Sequence, residues 1–227
     1  MIFIEAPHYN VVERRSSKKT YCVCVFFLLI SSLFLGCSHK SSSEKVSGFE
    51  CIMPSDVKLQ TGDVVFRRGT GMASRVILKL DTASIYSHSG IVVDYDGKKM
   101  IAHAVADEPD FEGDVDRVKI DPIEVYFSDH YAECAEICRI EDDSIARKAA
   151  DIAIQTYERK VLFDHEYDDT DTTKMYCAEL VVYAYKRAGI ELVSPERHEV
   201  SVNNFHAICI FPSDLLNSKY LKSIYKF

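Results

Sequence analysis

The stretch Tyr86-Ser87-His88-Ser89-Gly90-Ile91-Val92-Val93, continued through Asp96-Gly97 to Ile101-Ala102-His103-Ala104-Val105, decides how this chain folds. Residues 87–94 and 99–105 read as two strands, and Asp96-Gly97 between them is a strong hairpin signal. A two-residue turn there pairs Tyr95 with Lys98. In that register Val105 lies opposite His88, and His103 lies opposite Gly90. Directly paired residues share a face of a sheet, so His88, Gly90, His103 and Val105 point the same way. The two histidines become diagonal neighbours roughly 7–8 Å apart at the backbone, close enough for their rings to touch. Gly90 leaves room between them. A three-residue loop would slip the register by one and send the histidines to opposite faces.

A second segment, Met175-Tyr176-Cys177-Ala178-Glu179-Leu180-Val181, opens a helix over about 174–188. Leu180, Val181, Ala184 and Ala188 form its apolar stripe, and Gly189 stops it. Cys177 falls in the first turn and faces with the stripe. Packed on the hairpin, the helix would bring Cys177 to the histidines. Unpaired N–H groups and the dipole at a helix start favour a thiolate, and the same groups can hold an oxyanion. His88 is then the candidate base, and His103 the residue that orients it. Against this stands a plainer reading: most cysteines at helix starts are structural, and most strand histidines are hydrogen-bonded core residues.

The rest of the chain supplies a frame. Thr61-Gly62-Asp63 reads as a turn and Val64-Val65-Phe66 as a short buried strand. Residues 72–80 read as a short helix beneath the next strand, 107–116 as an acidic exposed loop, and 117–120 and 133–140 as further strands. A longer helix follows, capped by Asp142 or Asp143, with Ile145, Ala149, Ile152, Ala153 and Tyr157 at helical spacing. Residues 164–173 form an acidic loop without the glycine and terminal glutamate of a calcium loop, so a solvated loop is expected there. Residues 190–214 are mixed loop and strand, and Ser213 starts a short terminal helix. The pattern is α+β: an antiparallel sheet packed against the helix that carries the cysteine.

Composition bounds the partners. Residues 1–36 read as a targeting segment, with Arg14, Arg15, Lys18 and Lys19 ahead of an uncharged apolar run from Tyr21 to Gly36. That run is shorter than the roughly 20 residues that span a bilayer. Gly36-Cys37, followed by serine-rich sequence, resembles a bacterial lipoprotein signal. Cys37 would carry the lipid and tie the protein to a membrane, and residues 37–48 would be a polar tether. A plain uncleaved anchor gives the same topology. A chain beginning at Cys37 has 23 basic and 33 acidic residues, a poor match for nucleic acid. Residues 49–227 suffice for one buried domain. Cys51, Cys134, Cys138 and Cys209 permit three disulfide pairings in an oxidising compartment, but small buried hydrophobes are the commoner role. No cysteine or histidine spacing suggests zinc, so neither a metal nor a cofactor is expected.

The order of segments adds a resemblance. Gly62-Asp63-Val64-Val65-Phe66, then Ser87-His88-Ser89-Gly90-Ile91-Val92, then Ile101-Ala102-His103-Ala104 looks like the histidine half of NlpC-type papain-fold peptidases. In the usual arrangement the cysteine helix precedes that half; here Tyr176-Cys177-Ala178-Glu179-Leu180-Val181 follows it. That order resembles the circularly permuted, YiiX-like branch of papain-like amidases over about residues 58–216. The resemblance implies a cysteine hydrolase of amide bonds, with Cys177 as nucleophile, His88 as base and His103 in the third polar position. Its implied substrates are peptidoglycan-derived peptides or amino-acid amides, in the cell envelope. A thiol-dependent lipid acyltransferase or lipase is the alternative, and a long apolar patch beside Cys177 would favour it. A non-catalytic binding lipoprotein is a third reading. Arg67, Arg68 and Glu179 flank the motifs, within reach of a substrate carboxylate or amine, although surface ion pairing is their ordinary role.

Overall fold

Asp96 and Gly97 take left-handed φ values of 50° and 73°. That combination closes a two-residue hairpin whose twist matches its flanking strands. The strands it joins set the centre of a computed structural model that describes residues 48–227, except 169–170, 196 and 203–204. The targeting segment, most of the tether, and Cys22, Cys24 and Cys37 lie outside the described residues. No helix among the described residues is long and apolar enough to cross a membrane.

In chain order the elements are β1 (Val64–Gly69), α1 (Met72–Leu80), β2 (His88–Tyr95), β3 (Lys98–Val105), β4 (Arg117–Pro122), α2 (Ile123–Tyr126) and β5 (Ala132–Arg139). Then follow α3 (Asp143–Glu158), β6 (Leu162–Phe163), β7 (Lys174–Met175), α4 (Cys177–Ala188), β8 (His198–Val202), β9 (Phe205–Cys209), α5 (Pro212–Leu216) and β10 (Lys222–Lys226). Eight strands form one sheet in the order β10-β5-β1-β2-β3-β4-β6-β7, and β8 and β9 form a separate hairpin. Every pairing in the large sheet is antiparallel except β6 with β7. Between β2 and β3, Tyr95 pairs with Lys98 and Ile91 with Ala102, the register expected from the turn.

The sheet is covered on both faces. One face sends Val64, Phe66, Ile91, Val93, Ala102 and Ala104 into a core with α3 and α4. The other packs Val65, Val92, Ile101, Ala135 and Ile137 against Tyr126 and Phe127 from the α2 corner. By strand alternation His88 and His103 belong to this second face. The helix carrying Cys177 therefore packs on the face opposite the histidines, not on theirs as the sequence suggests. What reconciles the two is position along the strand: His88 is the first residue of β2, at the sheet's end, where the start of α4 also lies.

Local chemistry explains the helix limits. The Asp142 side chain accepts hydrogen bonds from the backbone N–H groups of Ser144 and Ile145, at 2.9 and 3.1 Å, so Asp142 rather than Asp143 caps α3. Gly189 closes α4 with φ 118°. Residues 174–175 pair as β7, so α4 begins later than its periodicity implies, with Cys177 as its first helical residue. Residues expected beneath a strand behave differently: α1 buries none of its side chains. No disulfide joins the five cysteines among the described residues; Cys138 and Cys209 are buried, and Cys51, Cys134 and Cys177 are half-buried.

Candidate active site

The hairpin register brings the two histidines into direct contact. His88 Nε2 lies 2.8 Å from His103 Nδ1, and the rings meet edge to face at 5.1 Å between centroids. Gly90 makes this possible. A Cβ there would stand 2.8 Å from Ile101 Cγ2, 3.0 Å from the Ala102 carbonyl oxygen and 3.2 Å from His103 Cβ. His103 is wholly buried and His88 nearly so. Tyr126 closes over both rings, at 5.8 Å from His88 and 5.0 Å from His103.

The chain of contacts continues to a residue that the sequence did not single out. His103 Nε2 lies 2.9 Å from Asp121 Oδ2. Asp121 pairs across β3–β4 with Ile101, so it is the diagonal neighbour of His103 on one face. Lys119, directly opposite His103, sets its Nζ 3.4 Å from the same carboxylate oxygen. Burial works to raise the Asp121 pKa, but His103 and Lys119 outweigh it and hold it down to about 2. Asp121 is thus an ionised, buried acceptor. The signal that could have found it is strand β4: extending the expected strand from residue 120 to 121 places a carboxylate two residues beyond the partner of His103.

Cys177 opens onto a cavity whose walls include His88, Arg67, Glu108, Tyr167 and Ile77. Cys177 and His88 therefore line one space, as expected, and His103 and Asp121 stand behind His88. The thiol departs from expectation. Burial raises its pKa above the ordinary value, against the opposing pull of the Ser89 backbone N–H and hydroxyl, the Ala178 N–H and the Arg67 charge. Burial also drives the His88 pKa well below the usual histidine value, aided by the positive charge of Arg67 and by His103. Near neutral pH the resting pair is a thiol beside a neutral imidazole. The helix start lowers the thiol pKa as expected, but less than enclosure raises it.

The three flanking charges have different fates. Arg68 is exposed and pairs with Glu133 at 2.8 Å. Glu179 is buried and accepts the Tyr176 N–H at 3.3 Å, fastening the first turn of α4. Arg67 is buried beneath the cavity. Its Nη1 donates to the Tyr126 carbonyl at 2.9 Å, its guanidinium lies 4.5 Å from the Tyr126 ring centre, and it pairs with Glu108. Arg67 Nε and Glu108 Oε2 are buried with no hydrogen-bond partner. Surface ion pairing thus describes Arg68 alone. No group of three or more histidine, cysteine, aspartate or glutamate side chains among the described residues is placed to hold a metal ion.

Comparison with known proteins fits this geometry. A crystal structure described as metalloprotein yiiX from Escherichia coli O157:H7 is similar, with a TM-score of 0.59 at 19% identity, over 75% of this chain and 99% of that one. A search of curated proteins found no match. Residues 58–225 match the family described as permuted papain-like amidase enzyme, YaeF/YiiX, C92 family. That match spans most of the chain, from ahead of β1 into β10, and includes the histidine hairpin, Asp121 and the cysteine helix. The protein belongs to the permuted papain-like amidase family, the cysteine hydrolase family that the order of its histidine and cysteine segments resembles.

Proposed function

We propose that the protein cleaves amide bonds in small peptidoglycan-derived peptides or amino-acid amides, with Cys177 as nucleophile and His88 as base. The observation that carries this reading is the unbroken line from Asp121 through His103 to His88, ending in the cavity that Cys177 lines. The ionised Asp121 can only accept, so His103 presents its proton from Nε2 and a lone pair from Nδ1. With one proton on each ring, His88 then donates from Nε2 to His103. Its Nδ1 is left with a free lone pair for the thiol.

In the reaction, His88 Nδ1 takes the proton from Cys177 as Sγ attacks the carbonyl carbon. Backbone N–H groups at the start of α4 face the developing oxyanion. His88 returns the proton to the leaving amine, the C–N bond breaks and a thioester on Cys177 remains. Water, deprotonated by the same nitrogen, then releases the acid and restores the thiol. His103 and Asp121 act as positioning residues: they fix the His88 tautomer and stabilise the imidazolium that forms. The resting neutral pair makes proton transfer part of the attack, with no preformed ion pair. Lipidation at Cys37 would hold the domain at a membrane in the cell envelope, where such peptides arise.

The test is mass spectrometry of muropeptides and amino-acid amides incubated with the protein and with Cys177→Ala. Release of an amine and an acid by the native chain alone supports the reading. Equal traces from both chains would overturn it.

A further inference from the structure

Helix α4 packs on the face of the sheet opposite His88, so the residue of β2 that looks toward the start of α4 is the next one along. That residue is Ser89. It pairs with Phe66 across β1–β2, and by alternation it shares a face with Ile91 and Val93, which lie in the core with α3 and α4. Ser89 is wholly buried, and its hydroxyl has no hydrogen-bond partner of ordinary geometry. The ladder between β2 and β3 runs from Tyr95–Lys98 to Ile91–Ala102 and does not continue to Ser89. The Ser89 N–H and hydroxyl instead both bear on Cys177 Sγ, where each favours the thiolate over the thiol.

An enclosed hydroxyl without a partner weakens a fold, and alanine would fill the same place without that penalty. At Ser89 the unused donor stands beside the atom that gains negative charge in the proposed reaction. A neutral thiol is a weak acceptor, whereas a thiolate is a charged one. The donor is therefore idle in the resting pair and engaged once the proton has left.

We propose that Ser89 is a further catalytic residue, whose hydroxyl donates a hydrogen bond to Cys177 Sγ as the thiol proton moves to His88. The inference deepens the amidase reading and rests on it for the role of Cys177. It adds a donor on the sulfur, which the line from Asp121 to His88 does not supply. No covalent bond to Ser89 forms, and its proton stays on Oγ. The interaction weakens as charge passes from sulfur to the carbonyl oxygen and the thioester forms. It returns when the thioester C–S bond breaks, Cys177 leaves as a thiolate and His88 restores the thiol proton. An interaction stronger in the charged state than in the resting one speeds both half-reactions.

The test compares Ser89→Ala with the native protein by the rate of Cys177 alkylation by iodoacetamide, from acid up to about pH 10. The charged and titratable groups that face the thiol from neighbouring elements are His88, Arg67, Glu108, Tyr126, Tyr167 and Cys209, and the substitution leaves all of them in place. A rate about tenfold lower at neutral pH is expected, with the alkaline plateau unchanged, so that the profile moves up by about one pH unit. The urea midpoint of Ser89→Ala should equal or exceed the native one, because an unpartnered buried hydroxyl has been removed. Superimposable profiles overturn the proposal, as does a rate lowered equally at every pH. A lower urea midpoint also overturns it, since the hydroxyl would then serve the fold. The amidase reading is decided separately, by whether amide cleavage is lost in Cys177→Ala; the thiol profile decides Ser89 whatever the substrate.

Discussion

The two halves of the cleft are built on different terms. On the histidine side, hydrogen bonds join Asp121 to His103 and His103 to His88, the rings are held by Tyr126 and Gly90, and the terminal carboxylate is ionised. On the cysteine side, Cys177, the proposed nucleophile, sits at a helix start, but enclosure raises its pKa. One half is preorganised; the other waits for a proton acceptor. In the proposed mechanism a base held in one tautomer activates this thiol, because the helix start alone does not deprotonate it.

That contrast can be broken from either side. The largest effect belongs to Cys177→Ala, which removes the proposed nucleophile and should lower kcat on the order of 10⁶-fold, as when a covalent nucleophile is lost. His88→Ala should cost about 10²–10⁴-fold in kcat/KM, the usual worth of a general base. The acid limb of the native kcat/KM profile should lie below the ordinary histidine value of about 6.5, because the His88 pKa is lowered and only its neutral form accepts a proton. A limb at or above that value would remove the buried, neutral base from the account.

Asp121→Asn sharpens the comparison by touching only the far end of the line. It should lower kcat about tenfold to a hundredfold with little change in KM, the worth of one hydrogen bond to a charged group. A rise in KM with kcat unchanged would mean that Asp121 serves binding instead. The same substitution should lower stability at neutral pH by about 2 kcal/mol, measured by urea unfolding. The folded pKa of Asp121 lies below its ordinary value, so this contribution is complete above the normal carboxylate range and is lost as pH falls through about 2. The smallest change is Gly90→Ala. One added methyl group collides with Ile101, the Ala102 carbonyl and His103, and should cost about 1–3 kcal/mol in unfolding experiments. It should also shift the His88 and His103 ring resonances; a variant with native stability and spectra would show that the histidine pair tolerates slack.

The histidine side was largely legible in the sequence, because a two-residue turn at Asp96-Gly97 determines register and register determines which side chains meet. Asp121 escaped because its strand reads as ending one residue earlier, and because a carboxylate two strands from His88 becomes a partner only once β3 and β4 pair. The cysteine side was legible in position but not in electrostatics. Helix periodicity finds the first turn of α4, whereas the thiol pKa depends on how far the sheet, α1 and the β8–β9 hairpin enclose it. The same long-range burial hides Arg67, whose charge reads as surface until Tyr126 and Glu108 cover it. It also hides the face on which α4 packs, since apolar residues alternate onto both faces of β2 and β3. Strand β10 pairs at the edge of the sheet with a mostly exposed Lys-Ser-Ile-Tyr-Lys sequence, which carries little apolar signal of its own.

The most direct measurement is the rate of Cys177 alkylation by iodoacetamide against pH, in the native chain and in His88→Ala. If His88 takes the thiol proton during attack, the native protein stays reactive at pH 6–7, and His88→Ala reacts appreciably only above the ordinary thiol value of about 8.5. Superimposable curves for the two proteins, both rising only in the alkaline range, would contradict a histidine-activated cysteine at this site.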